Sequence, residues 1–383
     1  MQSFEIIVKT YFGFEDVLAQ ELEQLGATNI EKLKRAVSCE VNKEQFYACN
    51  YWLRTGLFVL KPIAKFEANN EDELYDEIQK IDWSEYIDND STFAINSTAF
   101  SDKFTHSKYV ALKMKDAIVD QFRKKTGDRP SINVEDPDLM LEIHVANNQF
   151  TVSLNSSGES LAKRGYRTQQ TKAPLSEALA AGIIIMTGWN GETDFLDPMC
   201  GSGTFPIEAA MIAGNRAPGR FRTFNFENWN DFDPTLWRKV KQDAKEQEKQ
   251  IKCGIYGKDK NQRAVRVSED NVQRAGLSQV IEIERKNFLN TRWNADSGLI
   301  IMNPPYGERL EDAEEMVDFY AEIGTHLKHY YPGCEAWIFS GNLEALKFIG
   351  LRPTRRIKLF NGQLECKLHK FELFQGKKSE LKG

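Results

Sequence analysis

Asp197-Pro198-Met199-Cys200-Gly201-Ser202-Gly203-Thr204-Phe205-Pro206 decides how this chain folds, because it joins the short apolar run TDFLD to the helical pattern IEAAMIA. A strand that passes into a helix through a glycine-rich turn is the opening unit of a doubly wound α/β sheet. Gly201 and Gly203 lack the Cβ atoms that would keep a ligand off the backbone, and the helix N-terminus presents free N–H groups. The turn therefore reads as a nucleotide-type site. A dinucleotide fingerprint needs a third glycine where this chain has Pro206, which disfavours NAD, and no lysine follows the glycines as in a phosphate-cradling loop. Asp197, closing the strand, suits a ligand with amine or hydroxyl donors and would repel phosphates.

Working outward from that turn, the short apolar segments GIYG, IEIER, GLIIM and AWIFS alternate with helical patterns, which predicts a mostly parallel sheet. RRIKLF and ECKLHKFEL, joined through Asn361-Gly362, read as a terminal antiparallel hairpin on it. The second strand leads into Lys258-Asp259, and a carboxylate at that position can accept from both hydroxyls of a ribose. It comes later than the usual ~20 residues after the glycines, because an insertion carrying Trp229 and Trp237 runs from about Gly214 to Gln250. The third strand is followed by Asn287-Phe288, whose amide oxygen suits an adenine amino group and whose ring suits a purine face.

The fourth strand runs directly into Asn303-Pro304-Pro305-Tyr306-Gly307. Two prolines fix φ near −65° and remove two N–H donors, leaving a stiff edge of carbonyls. The Asn303 side-chain oxygen and the Pro304 carbonyl can both accept from one planar NH₂ group, and Tyr306 offers a π face for stacking. The motif fits any planar NH₂ group, a base amine or a glutamine amide alike, and does not choose between them.

Toward the N-terminus the pattern changes. FEIIVKT, a helix stopped at Gly26, VSCEV and KEQFYACNYWLRTGLFVLKPIAKF read as a β-α-β-α-β unit of ferredoxin type over residues 1–66. NEDELYDEIQKIDWSEYI reads as one acidic amphipathic helix, STFAINSTAF as a strand, SKYVALKMKDAIVDQFRKKTG as a long helix, and LMLEIHVANNQFTVSLNSSG as a hairpin, giving a second unit over 67–158. A polar connector at 159–172 carries Lys163, Arg164, Arg167 and Lys172, the catalytic domain spans 173–376, and 377–383 is a polar tail.

Fifty Lys+Arg against fifty-six Asp+Glu give a net charge of −6, so any nucleic-acid contact must rest on local patches. The six cysteines are scattered without metal-type spacing, and His326-x-x-His329 lacks a third ligand and reads as a surface pair. No metal site is expected. The absence of a signal-type or membrane-spanning apolar run, with unpaired thiols, points to a soluble cytoplasmic protein.

The glycine turn with Asn303 to Tyr306 resembles class I S-adenosylmethionine (SAM)-dependent methyltransferases acting on amino nitrogens. Adding Lys163-Arg164-Gly165-Tyr166-Arg167, Ala173-Pro174-Leu175 and the run from Asn303 to Leu310 narrows the resemblance to the THUMP-domain RNA methyltransferases, and within them to the bacterial 23S rRNA guanine-N2 methyltransferases. The resemblance covers nearly the whole chain. It implies a Rossmann-like doubly wound methyltransferase domain preceded by an α+β ferredoxin-like segment and a THUMP domain. It implies SAM as cofactor, held by Asp197, Pro198, Gly201, Ser202, Gly203, Thr204, Asp259, Asn287 and Phe288. Asn303, Pro304, Pro305 and Tyr306 would hold the base. RNA, as 23S rRNA or a ribosome assembly intermediate, would be the partner, with Lys163, Arg164, Arg167 and Lys172 on its backbone. Many relatives have an aspartate where this chain has Asn287, so the adenine contact is the weakest part of the match. Adenine-N6 methylation, glutamine-amide methylation and a non-catalytic RNA-binding assembly role are the alternatives.

Overall fold

A computed structural model describes residues 2–167, 175–293, 297–307 and 313–374. The chain divides into two compact units that are discontinuous in sequence. The first takes Met1–Thr10, Leu18–Leu161 and Arg222–Asp243; the second takes Tyr11–Val17, Ala162–Phe221 and the chain from Ala244.

The first unit is built on β1 (Phe4–Thr10), β2 (Thr28–Leu33), β3 (Ala36–Val41), β4 (Gly56–Glu67), β5 (Thr92–Phe100), β6 (Ser131–Ile132), β7 (Leu139–Ala146) and β8 (Gln149–Asn155). Among the described residues these form one sheet in the order β2-β3-β1-β4-β8-β7-β5-β6. The ferredoxin-type segment and the unit that follows it therefore share a sheet, joined where β4 pairs antiparallel with β8 from Leu60↔Asn155 to Glu67↔Gln149. The helices α1 (Glu15–Gln24), α2 (Lys43–Trp52), α3 (Glu71–Gln79) and α4 (Ser107–Thr126) interleave with these strands. The acidic segment expected as a single helix is α3 followed by a separate 3₁₀ turn at Trp83–Glu85, because the Asp82 side chain accepts from Ser84 N–H and starts a new cap. The expected β-α-β-α-β order gains β2, whose residues are nearly all exposed and so carry no apolar alternation. Aromatic residues from the insertion complete this unit's core: Phe226 stacks on Tyr47 with centroids 4.6 Å apart, and Trp237 meets Tyr51 edge-on at 5.4 Å.

The second unit carries α5 (Glu177–Thr187), β9 (Asp194–Asp197), α6 (Thr204–Ala213), β10 (Ile255–Asp259), α8 (Gln262–Arg274), β11 (Ile281–Arg285), β12 (Gly298–Met302), α9 (Ala313–Tyr330), β13 (Glu335–Ser340), β14 (Arg355–Asn361) and β15 (Leu364–Glu372). Between α6 and β10 runs α7 (Pro234–Glu246). The strand order among the described residues is β11-β10-β9-β12-β13-β15-β14. The first five strands are parallel and β15 and β14 antiparallel, as the terminal hairpin predicted. Every residue of β12 is buried, as expected of a parallel strand covered on both faces. Phe195, Leu299, Ile301, Trp337 and Phe339 pack one face beneath α5 and α6, while Leu196, Ile300, Met302 and Ile338 pack the other beneath α9. Phe14 reaches this unit from near the N-terminus and lies where Gly182 leaves no Cβ.

Candidate active site

Successive strands run outward from β9 in both directions, to β10 and β11 on one side and β12 on the other, so a topological switch point lies between β9 and β12. Open α/β sheets bind ligands at the carboxyl ends of the strands at such a point. The β9–β12 register, Gly298↔Asp194 to Ile300↔Leu196, and the β9–β10 register ending at Gly257↔Asp197 bring Asp197, Asp259 and Asn303 to one rim.

The glycine turn is held from outside itself. Cys200 N–H donates to Lys258 O at 2.8 Å, and Gly201 N–H donates to an Asp259 carboxylate oxygen at 3.0 Å. From α8, Ser268 Oγ donates to Gly201 O and Asn271 Nδ2 donates to Ser202 O, each at 2.9 Å. Ser202 and Thr204 hydroxyls lie 3.3 Å apart, and Arg167 Nη2 donates to Thr204 Oγ1 at 2.6 Å. Gly201 and Gly203 have φ of 55° and 80°, in the left-handed region that favours glycine. A Cβ on Gly203 would press on Ser268, whereas one on Gly201 would meet nothing within 4 Å. The space over Gly201 is thus open to a ligand. Asp197, only 2% exposed, accepts from Met199 N–H at 3.0 Å. Burial holds its carboxyl well above the usual carboxylate range, with the Asp259 charge adding to that. Burial likewise raises the Cys200 thiol, so it is not poised as a nucleophile.

Asp259 accepts from Gly201 N–H on one oxygen and from Asn261 N–H at 2.8 Å on the other, leaving a lone pair on each. Asn287 is exposed on the same rim beyond β11, where its Oδ1 accepts from Leu289 N–H at 3.1 Å. The Phe288 ring does not face outward as expected. It is 2% exposed and stacks on Tyr331 with centroids 5.6 Å apart, so it packs the core and is not a purine platform.

On the other side of the switch point, Pro304 is buried and Asn303 and Tyr306 half-buried. Tyr306 OH donates to Asn303 Oδ1 at 2.7 Å. Burial, with Cys366 adding, pushes the Tyr306 phenol far up, so it remains a donor. This bond takes one lone pair of Asn303 Oδ1 and fixes which way the amide faces.

The expected RNA contacts need correction. Arg164 is 1% exposed, with its Nε 3.8 Å from Glu208, itself an acceptor for Tyr166 OH at 3.1 Å. Arg167 is engaged with Thr204, Leu175 O and Glu177. These side chains brace α5 and α6 and are not a solvent-facing patch, because two buried carboxylates, Glu208 beside Arg164 and Glu177 beside Arg167, need partners. Lys163 is exposed, and Lys172 lies outside the described residues. Two arginines of the insertion, which read in the sequence as further candidates for RNA contact, are also engaged: Arg222 donates to the carbonyls of Ser157, Glu159 and Ser160, and Arg220 pairs with Glu248 at 2.9 Å. His326 is not on the surface either; it is 8% exposed and its ring nitrogen lies 2.7 Å from Thr291 O. Sequence reasoning missed Ser268 and Asn271, although polar residues at buried positions of α8 were a usable signal.

A seven-stranded sheet with a glycine turn at its switch point, a carboxylate after the second strand and an Asn-Pro-Pro-Tyr edge on the neighbouring strand defines a class I methyltransferase domain. The model of an RMKL-like methyltransferase domain matches residues 164–370, a THUMP domain 68–155, and an RlmL ferredoxin-like domain 5–60. A Synechocystis protein named as an RNA methyltransferase, slr0064, is 38% identical over 379 residues, covering 97% of this chain and 99% of that one. A ribosomal RNA large subunit methyltransferase K/L of Syntrophotalea carbinolica is 38% identical over 375 residues, covering 94% of this chain and 52% of that one. The chain spans about half the length of the K/L relatives it matches. The structure of SMU.472 complexed with SAH (S-adenosylhomocysteine) has a TM-score of 0.89 at 30% identity, covering 98% of this chain and 100% of that one. The chain belongs to the RMKL-like methyltransferase family, and SAM is its cofactor. Among the described residues no helix is long and apolar enough to cross a membrane.

Proposed function

We propose that this chain transfers a methyl group from SAM to an exocyclic amino nitrogen of an RNA base, with guanine N2 of 23S rRNA as the target. The observation that carries the proposal is the pairing of β9 with β12, which opens the glycine turn and the Asn303 amide onto one rim. The THUMP match and the names of the relatives support an RNA acceptor, as naked rRNA or a cytoplasmic assembly particle.

Bound SAM supplies a methyl already activated on a sulfonium, with a neutral leaving group. The chain then needs mainly to orient. Asp197 and the open side of Gly201 suit the methionine end, and the two free lone pairs of Asp259 suit the ribose hydroxyls. Asn287 Oδ1 keeps one lone pair for an adenine amine. For the acceptor, Asn303 Oδ1 keeps one lone pair beyond its bond to Tyr306, and the Pro304 carbonyl has no protein donor among the described residues. Two acceptors on one NH₂ group set its lone pair toward the methyl, and such positioning is worth ~7–11 kcal/mol. A base inside a duplex cannot reach this edge, so the target is single-stranded or flipped. Exposed Lys163 remains the connector's candidate for backbone contact.

Transfer of labelled methyl from SAM to deproteinised 23S rRNA, followed by nucleoside analysis, tests this. The label should appear in N2-methylguanosine. Label in N6-methyladenosine would change the acceptor base, and SAM binding without any transfer to RNA would favour a glutamine-amide acceptor or a non-catalytic assembly role.

A further inference from the structure

The carbonyls of the Asn-Pro-Pro-Tyr turn are not held alike. The prolines supply no N–H to lock the turn, so its fixing must come from side chains. Behind it lies a buried chain of polar groups. Asn342 N–H donates to Ser340 Oγ at 2.9 Å, Ser340 Oγ lies 2.6 Å from Tyr320 OH, and Tyr320 OH donates to Pro305 O at 3.2 Å. With Ser340 giving its hydrogen to Tyr320, every donor in this chain is used once. Asn342 Nδ2 then donates to Tyr306 O at 2.7 Å, while its Oδ1 accepts Ala345 N–H at 2.9 Å, which fixes the orientation of the amide. Tyr320 and Ser340 are both fully buried, and burial pushes the Tyr320 phenol up to about 12, so it stays protonated.

Two consecutive carbonyls, of Pro305 and Tyr306, are thus pinned, while the Pro304 carbonyl just before them is left for a ligand. The ring of Pro305 locks its φ, so fixing Pro305 also fixes the peptide plane that carries Pro304 O. We infer that Tyr320, Ser340 and Asn342 are positioning residues for methyl transfer, aiming the Pro304 carbonyl and the Asn303 amide at the acceptor nitrogen through the turn. The inference rests on the acceptor role proposed above.

Asn342 Oδ1 also holds the N–H of Ala345, the first residue of the 3₁₀ turn Ala345–Phe348, so the test must separate that bond from bracing. Asn342→Asp keeps the oxygen that accepts Ala345 N–H, and aspartate caps as well as asparagine. It loses the donor to Tyr306 O. Tyr320→Phe keeps the ring and loses both hydroxyl bonds. In single-turnover assays on full-length protein with RNA, each variant should lose about 10- to 100-fold in transfer rate. SAM affinity should stay near wild type in both variants, Tyr320→Phe should melt only a few degrees lower for its lost buried bonds, and the double variant should lose less than the product of the two. Full activity of Asn342→Asp, or parallel loss of SAM affinity, would overturn the inference. If the wild type methylates no RNA, the acceptor proposal fails by itself. The brace is then judged from crystal structures of Asn342→Asp and wild type: a displaced Pro304 carbonyl supports it and an unmoved one refutes it.

Discussion

The glycine turn after β9 and the proline edge after β12 sit on neighbouring strand ends and solve one problem by opposite means. Both must offer polar backbone to a ligand. The glycine turn removes side chains, takes up left-handed φ at Gly201 and Gly203, and depends on Asp259, Ser268 and Asn271 to hold it. The proline edge removes hydrogens, stiffens φ, and keeps only acceptors facing outward. The first is built for close approach and the second for direction. Damage to the first should therefore appear as lost cofactor binding, and damage to the second as lost chemistry.

The sharpest contrast comes from Gly201→Val and Asn303→Ala. A valine at Gly201 would carry its side chain into the open space over the turn and strain a left-handed position. Calorimetry should show SAM affinity reduced by about 10²-fold or more, a loss of roughly 3 kcal/mol. Asn303→Ala should cut turnover by at least about 10²-fold while SAM affinity changes less than about twofold. Equal losses of both quantities in either variant would break the comparison.

Asp197→Asn probes the cofactor side more finely. Burial raises the folded-state carboxyl above its usual 3.8, so the folded protein binds more protons than the unfolded chain between that value and the raised one. Stability of the cofactor-free protein should therefore fall as pH rises through the raised pKa. The amide should remove that dependence, melting higher than wild type near pH 8. It should also weaken SAM binding by about 10-fold, the worth of one charge-assisted hydrogen bond. An unchanged melting profile across pH would show that Asp197 is not the strained group.

The smallest effect is expected at Asn271. Removing its buried bond to Ser202 O with Asn271→Ala should cost about 1–2 kcal/mol in denaturant unfolding. Turnover under saturating SAM should shift less than about threefold, because the residue holds the turn without touching the acceptor edge.

Much of the second unit was legible because its strands are short, apolar and separated by helices, and because both motifs fall directly after strands. The exchange of segments between the units was not legible. Phe14 and the aromatic run from Phe224 to Trp237 look like ordinary apolar residues in a linear reading, and only packing shows which core they complete. Arg164 and Arg167 failed for a related reason: a buried cation and a surface cation are the same letter. Their counter-charges, Glu208 within IEAAMIA for Arg164 and Glu177 in LSEALAAG for Arg167, were the available signal. Phe288 follows the third strand as Asn287 does and its ring suits a purine, yet in the turn after β11 Asn287 is exposed and Phe288 buried, a difference that position after a strand does not carry. The brace at Tyr320, Ser340 and Asn342 could not be read at all, since it joins elements distant from Asn303 in sequence.

A co-crystal structure with SAH and a single-stranded RNA fragment containing the target guanine is the most direct measurement. The sulfur and the guanine N2 should face each other across the boundary between the two strand ends, with N2 bonded to Asn303 Oδ1 and Pro304 O. A sulfur out of reach of that nitrogen, or a base seated on any other strand end, would contradict the account.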